Sequence, residues 1–248
     1  MISFIVPAFN EGAVIKDTIA TIRTVVKNYE INEYEIIPID DGSSDDTKIK
    51  LEKLAGEDPK IRPVYHPENM GLGRSIINGV AKATKERFVI IPGDNDISHI
   101  SLGMILGYRN EAEMILTVPL NKEARPIGRQ IISSIYQLIY SACFGTAIGY
   151  INGPGIWPTE KVKTLNLKSN RFSIISEMNV KLLTSGVQFA EVPIYVQAVP
   201  PDRSTVTLKN FIEVAKIFVM QIVDLKLKSD RPKLHPLNRV QIDFRRKK

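Results

Sequence analysis

Arg87-Phe88-Val89-Ile90-Ile91-Pro92-Gly93-Asp94-Asn95-Asp96-Ile97-Ser98-His99 runs from an apolar, β-branched segment through a Pro-Gly turn into two aspartates one residue apart. That order is a buried strand whose carboxyl end carries an acid-x-acid pair. Carboxylates so placed can converge on a hard divalent cation, which keeps its waters and takes its other ligands from phosphate oxygens. The same residues can make a merely solvated acidic turn. A second acidic turn upstream, Asp40-Asp41-Gly42-Ser43-Ser44-Asp45-Asp46-Thr47, shifts the balance toward a site.

Upstream of this stretch, strand and helix patterns alternate. Strands are expected at Ile2 to Val6, Glu35 to Asp40, Ile61 to Tyr65 and Phe88 to Ile91. Helical periods follow at Val14 to Val26, Ile49 to Leu54 (capped by Asp46 or Thr47) and Ile76 to Ala81. This rhythm predicts an α/β domain, a parallel sheet flanked by helices, whose ligands bind at the carboxyl ends of the strands. Three polar turns then share one sheet edge. Asp41 with Asn10 or Glu11 supplies hydrogen bonds for a base and ribose, and Asp96 binds a diphosphate through a cation. Gly71 and Gly73, in Asn69-Met70-Gly71-Leu72-Gly73, either present backbone N–H groups to phosphate at a helix start or are turn glycines.

The 248 residues, 44% of them hydrophobic, suffice for one sizeable core. One cysteine, Cys143, excludes an internal disulfide, and His66, His99 and His235 are too scattered for a histidine metal site. The apolar start is too short for a secretory signal, so a cytoplasmic location is expected. Of a formal charge of +6, the excess lies in residues 226–248, with nine Lys and Arg against two Asp. A basic tail of this kind is either solvated or drawn to an anionic membrane surface. Without interleaved aromatic residues it does not suggest nucleic acid.

Val6 to Glu11 (VPAFNE), Asp40 to Thr47 (DDGSSDDT), Asn69 to Gly73 (NMGLG) and Gly93 to Asp96 (GDND) together resemble the ordered signature of family 2 glycosyltransferases with the GT-A fold. The pattern is most similar to the polyprenyl-phosphate hexosyltransferases, of the dolichyl-phosphate mannose synthase type. His99 matches a histidine after their acidic motif, and Arg129 an arginine opening the next helix. Ser176-Glu177-Met178 and Glu191-Val192-Pro193-Ile194 resemble their acceptor side.

The resemblance implies a nucleotide-sugar pocket lined by Pro7, Ala8, Asn10, Glu11, Asp40, Asp41, Gly71, Gly73, Asp94 and Asn95. Asp94 and Asp96 would hold Mg²⁺ or Mn²⁺, with Asp96 the direct ligand. Asp40 has the alternative of capping its turn. Asp45 and Asp46 read as helix-start acids. For a hydroxyl acceptor Glu177 is the candidate general base, or else an acid favouring its helix dipole, whereas a lipid phosphate needs no strong base. Arg203 could clamp a diphosphate, or be a surface arginine. Trp157 could stack on a sugar at the acceptor site with Arg129, or belong to the core.

From Gln130 to Thr159 no residue is charged, and Ile131 to Ile148 reads as a buried or interfacial helix pair rather than a membrane span. Leu208 to Leu225 has one apolar face, suited either to packing on the domain or to lying in a membrane surface. The expected organisation is a Rossmann-like GT-A domain over 1–205, with a donor half at 1–98 and an acceptor half at 99–205, then an amphipathic helix and basic tail at 206–248. The expected activity is transfer of a hexose from a UDP- or GDP-sugar to a polyprenyl phosphate at the cytoplasmic membrane face, with inversion, by a monomer or a homo-oligomer. Transfer to a hydroxyl of a lipid-linked or soluble glycan, and a catalytically silent nucleotide-sugar or membrane-binding scaffold, are the alternatives.

Overall fold

The computed structural model describes residues 1–196, 208–228 and 231–244. The first half alternates strictly: β1 (Ile2–Ala8), α1 (Ile15–Asn28), β2 (Tyr34–Asp40), α2 (Thr47–Glu57), β3 (Val64–Tyr65), α3 (Leu72–Lys82) and β4 (Arg87–Ile90). The second half contributes α4 (His99–Gly107), β5 (Met114–Pro119), α5 (Ile127–Phe144), β6 (Ile156–Pro158), α6 (Thr159–Lys163), α7 (Ile174–Thr184), β7 (Gln188–Ile194), α8 (Leu208–Ile222) and β8 (Asn238–Arg239). One eight-stranded sheet results, in the order β3-β2-β1-β4-β6-β5-β7-β8. Among the described strands only β6 runs antiparallel to its neighbours, between β4 and β5.

Both faces of the sheet are covered, which is why β1 is buried along its whole length. Phe4 and Val6 pack with Ile15, Ile19 and Ile22 of α1 on one face. Ile5 meets Ile76 and Val80 of α3 on the other. Gly79 lets α3 approach this closely, since a Cβ there would collide with the Ile5 side chain.

The third strand is shorter than its apolar run. Ile36 bridges to Ile61, but ladder pairing proper covers only Val64–Tyr65, because Pro38 of β2, opposite Pro63, has no N–H to donate to the Arg62 carbonyl. A larger departure is at the C-terminus. The expected tail returns to the domain, where Asn238–Arg239 pair with Gln188 and Phe189 as an edge strand. Arg239 ion-pairs with Glu191 at 2.9 Å, and the Phe244 ring packs on Tyr108. Residues 245–248, the most basic stretch, lie outside the described residues.

Glu35 closes the amino-terminal edge of the sheet. Its buried carboxylate accepts from the Ser3 hydroxyl at 2.7 Å, the Thr84 N–H at 2.7 Å and the Thr84 hydroxyl at 2.9 Å, and pairs with Arg62 at 2.6 Å. Burial pushes this carboxyl up, but the Ser3, Thr84 and Arg62 partners more than offset it and leave it below its ordinary value. A depressed folded-state pKa contributes stability that is present above the unfolded value, about 4.3, and is lost as pH falls through the folded one. Glu35→Gln is therefore expected to lower stability at pH 7 by about 2 kcal/mol, with the gap to wild type narrowing at pH 3. Denaturant titrations at both pH values check this; a gap that does not narrow removes the carboxylate from acid unfolding.

Candidate functional site

The carboxyl ends of β1, β2 and β4 meet around Ala8. The Asp41 N–H donates to the Ala8 carbonyl at 2.9 Å, and the Gly93 N–H to the Pro7 carbonyl at 2.9 Å. A Cβ on Gly93 would lie 2.9 Å from that of Ala8, so only glycine lets the Asp94–Asp96 turn approach β1 this closely. The two acidic turns thus flank Ala8.

Within the second turn Asn95 takes a left-handed conformation, φ 58°, tolerable for asparagine, and its Oδ1 accepts from the Thr21 hydroxyl at 3.2 Å. The Asp96 N–H donates to Asp94 Oδ1 at 3.1 Å. Among the described residues no third acid, histidine or cysteine joins this pair in a metal-binding cluster. Two hard oxygen donors and room for water and diphosphate oxygens fit Mg²⁺ or Mn²⁺.

The first turn is held internally. Asp40 accepts from the Ser43 N–H at 3.1 Å and is buried, so it plays the turn-capping role rather than that of a pocket wall. Asn10, with φ 57°, bridges to the acidic turn: its N–H donates to the Ser43 hydroxyl at 2.9 Å and its Oδ1 accepts from the Ser44 N–H at 2.8 Å. The Glu11 N–H donates to the Thr47 hydroxyl at 2.9 Å. Asp45 accepts from the Gly12 N–H at 2.9 Å and the Thr47 N–H at 3.0 Å, which ties the two turns together at the start of α2, whose N-cap Asp46 makes no side-chain capping bond. Asp46 pairs instead with Lys50.

Several expected roles are corrected by burial and hydrogen bonding. Gly71 and Gly73 offer no phosphate cradle, for the Gly71 N–H donates to Asp41 at 2.9 Å and the Gly73 N–H to the Asn170 carbonyl at 3.0 Å. A Cβ on Gly71 would sit 2.6 Å from the Asn170 carbonyl oxygen, so both glycines serve close packing against residues 169–171. Glu177 is 1% exposed. Its carboxylate accepts from the Lys168 N–H at 3.0 Å and the Ser169 N–H at 2.8 Å and pairs with Lys181 at 2.6 Å, which anchors the loop before α7 and leaves no access to an acceptor. Trp157 is fully buried, stacked on Phe88 with its indole N–H on Asn179 at 2.7 Å. It is a core residue.

Arg129, expected on the acceptor side, is half-buried in the first turn of α5. Arg125, which sequence patterns did not single out, lies over the Tyr150 ring at 5.2 Å, and its buried Nε has no hydrogen-bond partner among the described residues. Arg203 lies outside the described residues. The uncharged 131–148 stretch gives one helix, α5, ended by Gly145 at φ 67°, rather than a pair. One side of α5 packs inward through Tyr140 and Phe144, both against Phe218 of α8. Its other side exposes Ile127, Ile131, Ile135 and Leu138, the last at 68%. Exposed Ile212 and Val219 of α8 add to the uncovered apolar surface. No helix of the described residues is long and apolar enough to cross a membrane.

A concavity of about 640 Å³ opens among Arg23, Glu30, Tyr34 and Lys60 at the amino-terminal edge of the sheet. Glu30 is the one acid of its lining, and the two acidic turns lie at the opposite edge, where strand carboxyl ends converge.

Residues 3–111 match the family model described as glycosyl transferase family 2. A prophage bactoprenol glucosyl transferase homolog of Escherichia coli (strain K12) is 37% identical over 98 residues, 39% of this chain and 30% of that protein. A dolichyl-phosphate beta-glucosyltransferase of Trichomonas vaginalis is 32% identical over 97 residues, 37% of this chain and 28% of that protein. The chain thus spans well under half the length of these curated relatives. Among solved structures, glucosyl-3-phosphoglycerate synthase from Mycobacterium tuberculosis, in complex with Mn²⁺, uridine diphosphate and phosphoglyceric acid, superposes with a TM-score of 0.66 at 17% identity. That alignment covers 90% of this chain and 77% of the synthase, and it extends the likeness of fold through the second half.

Proposed function

We propose that this chain, whose residues 3–111 match the model of glycosyl transferase family 2 and whose fold is of the GT-A type, moves a hexose from a nucleoside diphosphate sugar to a polyprenyl phosphate at the cytoplasmic membrane face. The observation that carries this reading is the pairing of Asp94 and Asp96 beside Ala8 with a buried Glu177 on the acceptor side. A hydroxyl acceptor needs a base to take its proton, whereas a phosphate, with a second pKa of about 6, is largely ionised at neutral pH. Glu177 is spent on its loop, so a phosphate acceptor suits this site better.

Asp94 and Asp96 would hold Mg²⁺ or Mn²⁺ against the donor diphosphate. When bound, the metal supplies Lewis-acid neutralisation of the charge that builds on the departing nucleoside diphosphate. Pro7, Ala8, Asn10, Glu11 and Asn95 border the donor crevice, and Asp41 holds the loop at its edge. An acceptor phosphate oxygen attacks C1 from the face opposite the leaving group, which inverts the anomeric centre. Arg125 and Arg129 would receive the acceptor phosphate. The uncovered apolar sides of α5 and α8 support seating in the membrane surface. The names of the bactoprenol and dolichyl-phosphate relatives support the lipid class.

A single assay tests the reading. The protein, radiolabelled UDP- or GDP-hexose and Mn²⁺ are mixed with anionic vesicles that contain or lack a polyprenyl phosphate. Label should enter the organic phase only with both metal and polyprenyl phosphate, and the protein should sediment with the vesicles. Transfer to a soluble glycan instead would favour the hydroxyl reading, and no transfer with any donor would leave a scaffold.

A further inference from the structure

We propose that His66 and Asn78 are positioning residues of the donor site and act through Asp41; this rests on the donor-site reading above. Asp41, at the end of β2, is 4% exposed, and its carboxylate is met from three directions. The Met70 N–H donates to Oδ1 at 3.0 Å, the Gly71 N–H to Oδ2 at 2.9 Å, and His66 Nδ1 lies 2.7 Å from Oδ1. On the far side of the ring, the Asn78 amide nitrogen lies 2.9 Å from His66 Nε2. An amide nitrogen can only donate, so Nε2 is the acceptor and the ring proton sits on Nδ1, directed at Asp41.

The chain of contacts runs from α3 through the end of β3 to the end of β2 and into the Asn69–Gly73 loop. His66 is itself fixed by its backbone N–H on the Asp40 carbonyl at 2.9 Å. A carboxylate has about four acceptor positions, and three of those on Asp41 are occupied. Its rotamer is therefore set by His66 from one side and by the loop from the other. The loop depends on it in turn, because Gly71 holds a left-handed backbone, φ 92°, pressed against Asn170. Asp41 also binds the Ala8 carbonyl through its N–H, so a shift of this carboxylate displaces two walls of the crevice at once. Nothing in the spacing of the sequence ties position 66 to position 41; only pairing of β3 with β2 does.

The test uses the full chain and measures the affinity of UDP and GDP with Mn²⁺ by calorimetry, then KM and kcat for the donor sugar. His66→Gln places its amide where Nε2 stood and leaves Asp41 without its donor. His66→Asn places an amide nitrogen where Nδ1 stood. We expect His66→Gln to weaken nucleoside diphosphate binding about tenfold, the equivalent of one charge-assisted hydrogen bond, and to raise KM with kcat nearly unchanged. His66→Asn should recover most of the loss, which a merely structural role would not produce. Asn78→Ala, which keeps the ring but frees its tautomer, should weaken binding about threefold, a fraction of one hydrogen bond. Equal affinity of His66→Gln and wild type overturns the proposal, as does His66→Asn no better than His66→Gln. Should His66→Gln fail to fold, unchanged affinity in Asn78→Ala overturns it. Wild type that binds neither diphosphate overturns the donor-site reading, and this inference with it.

Discussion

Asp96→Ala is expected to lower kcat/KM for hexose transfer by about a thousandfold, some 4 kcal/mol of transition-state stabilisation, while leaving the fold intact. The separation of effects follows from geometry. The Asp96 carboxylate is half-buried, and only its backbone N–H takes part in the turn, on Asp94 Oδ1. Removing the side chain thus leaves the turn its hydrogen bond, and the melting temperature should move by less than about 2 °C, as for a substitution that disturbs no packing. Wild type should be stabilised by its cognate nucleoside diphosphate with Mn²⁺, by roughly 2.7 kcal/mol at a hundred times the dissociation constant. That stabilisation should disappear with chelator and in Asp96→Ala. Transfer retained by the variant, or stabilisation indifferent to metal, would remove the acidic pair from the donor site.

Glu177→Ala should act on stability and not on the chemical step. Removing one member of a buried ion pair costs about 3–5 kcal/mol, because the other is left uncompensated. The low end applies here, since Lys181 also donates to the Asn166 carbonyl. The Lys168 and Ser169 N–H groups lose their acceptor at the same time. A loss of about 3 kcal/mol corresponds to roughly 6–12 °C in melting temperature for a domain of this size. Below that temperature, kcat with a polyprenyl phosphate should stay within a few-fold of wild type. An unchanged melting temperature combined with lost transfer to a hydroxyl acceptor would restore Glu177 as the base.

These two residues also mark how far the sequence could be read. Asp96 follows a β-branched run and a Pro-Gly turn, and such local patterns placed the first four strands, their helices and the three polar turns on one edge. The period of Leu208 to Leu225 likewise announced α8. Glu177 looked no different in sequence from a helix-start acid facing solvent, because its burial depends on the loop at 166–173 closing over it. Trp157 faces inward because β6 runs antiparallel beside β4, and three residues in an uncharged stretch carry no strand signal. Gly71 and Gly73 spend their N–H groups on Asp41 and Asn170, partners 30 and 97 residues distant. The C-terminal strand was hidden for a similar reason: Asn238–Arg239 pairs as an edge strand although its composition suggests a solvated tail. Asp40 and Asp45 lay between these cases, as turn chemistry offered both of their roles from the start.

The position of β6 bears on how the chain assembles. β4 and β5 are not neighbours, and among the described residues the first-half and second-half strands of the sheet are joined through Ile156–Pro158. During synthesis β1 to β4 are complete once Ile90 has emerged, and they pair locally with the helices between them. The outer edge of β4 then stays open until the ribosome has added a further 66 residues, about 3–13 s at typical elongation rates of about 5–20 residues per second. Phe88 meets Trp157 only at that point. Closing this long-range pairing carries the loop entropy that slows non-local β topologies. For the nascent protein, a three-residue strand decides when two separately collapsing halves become a single sheet.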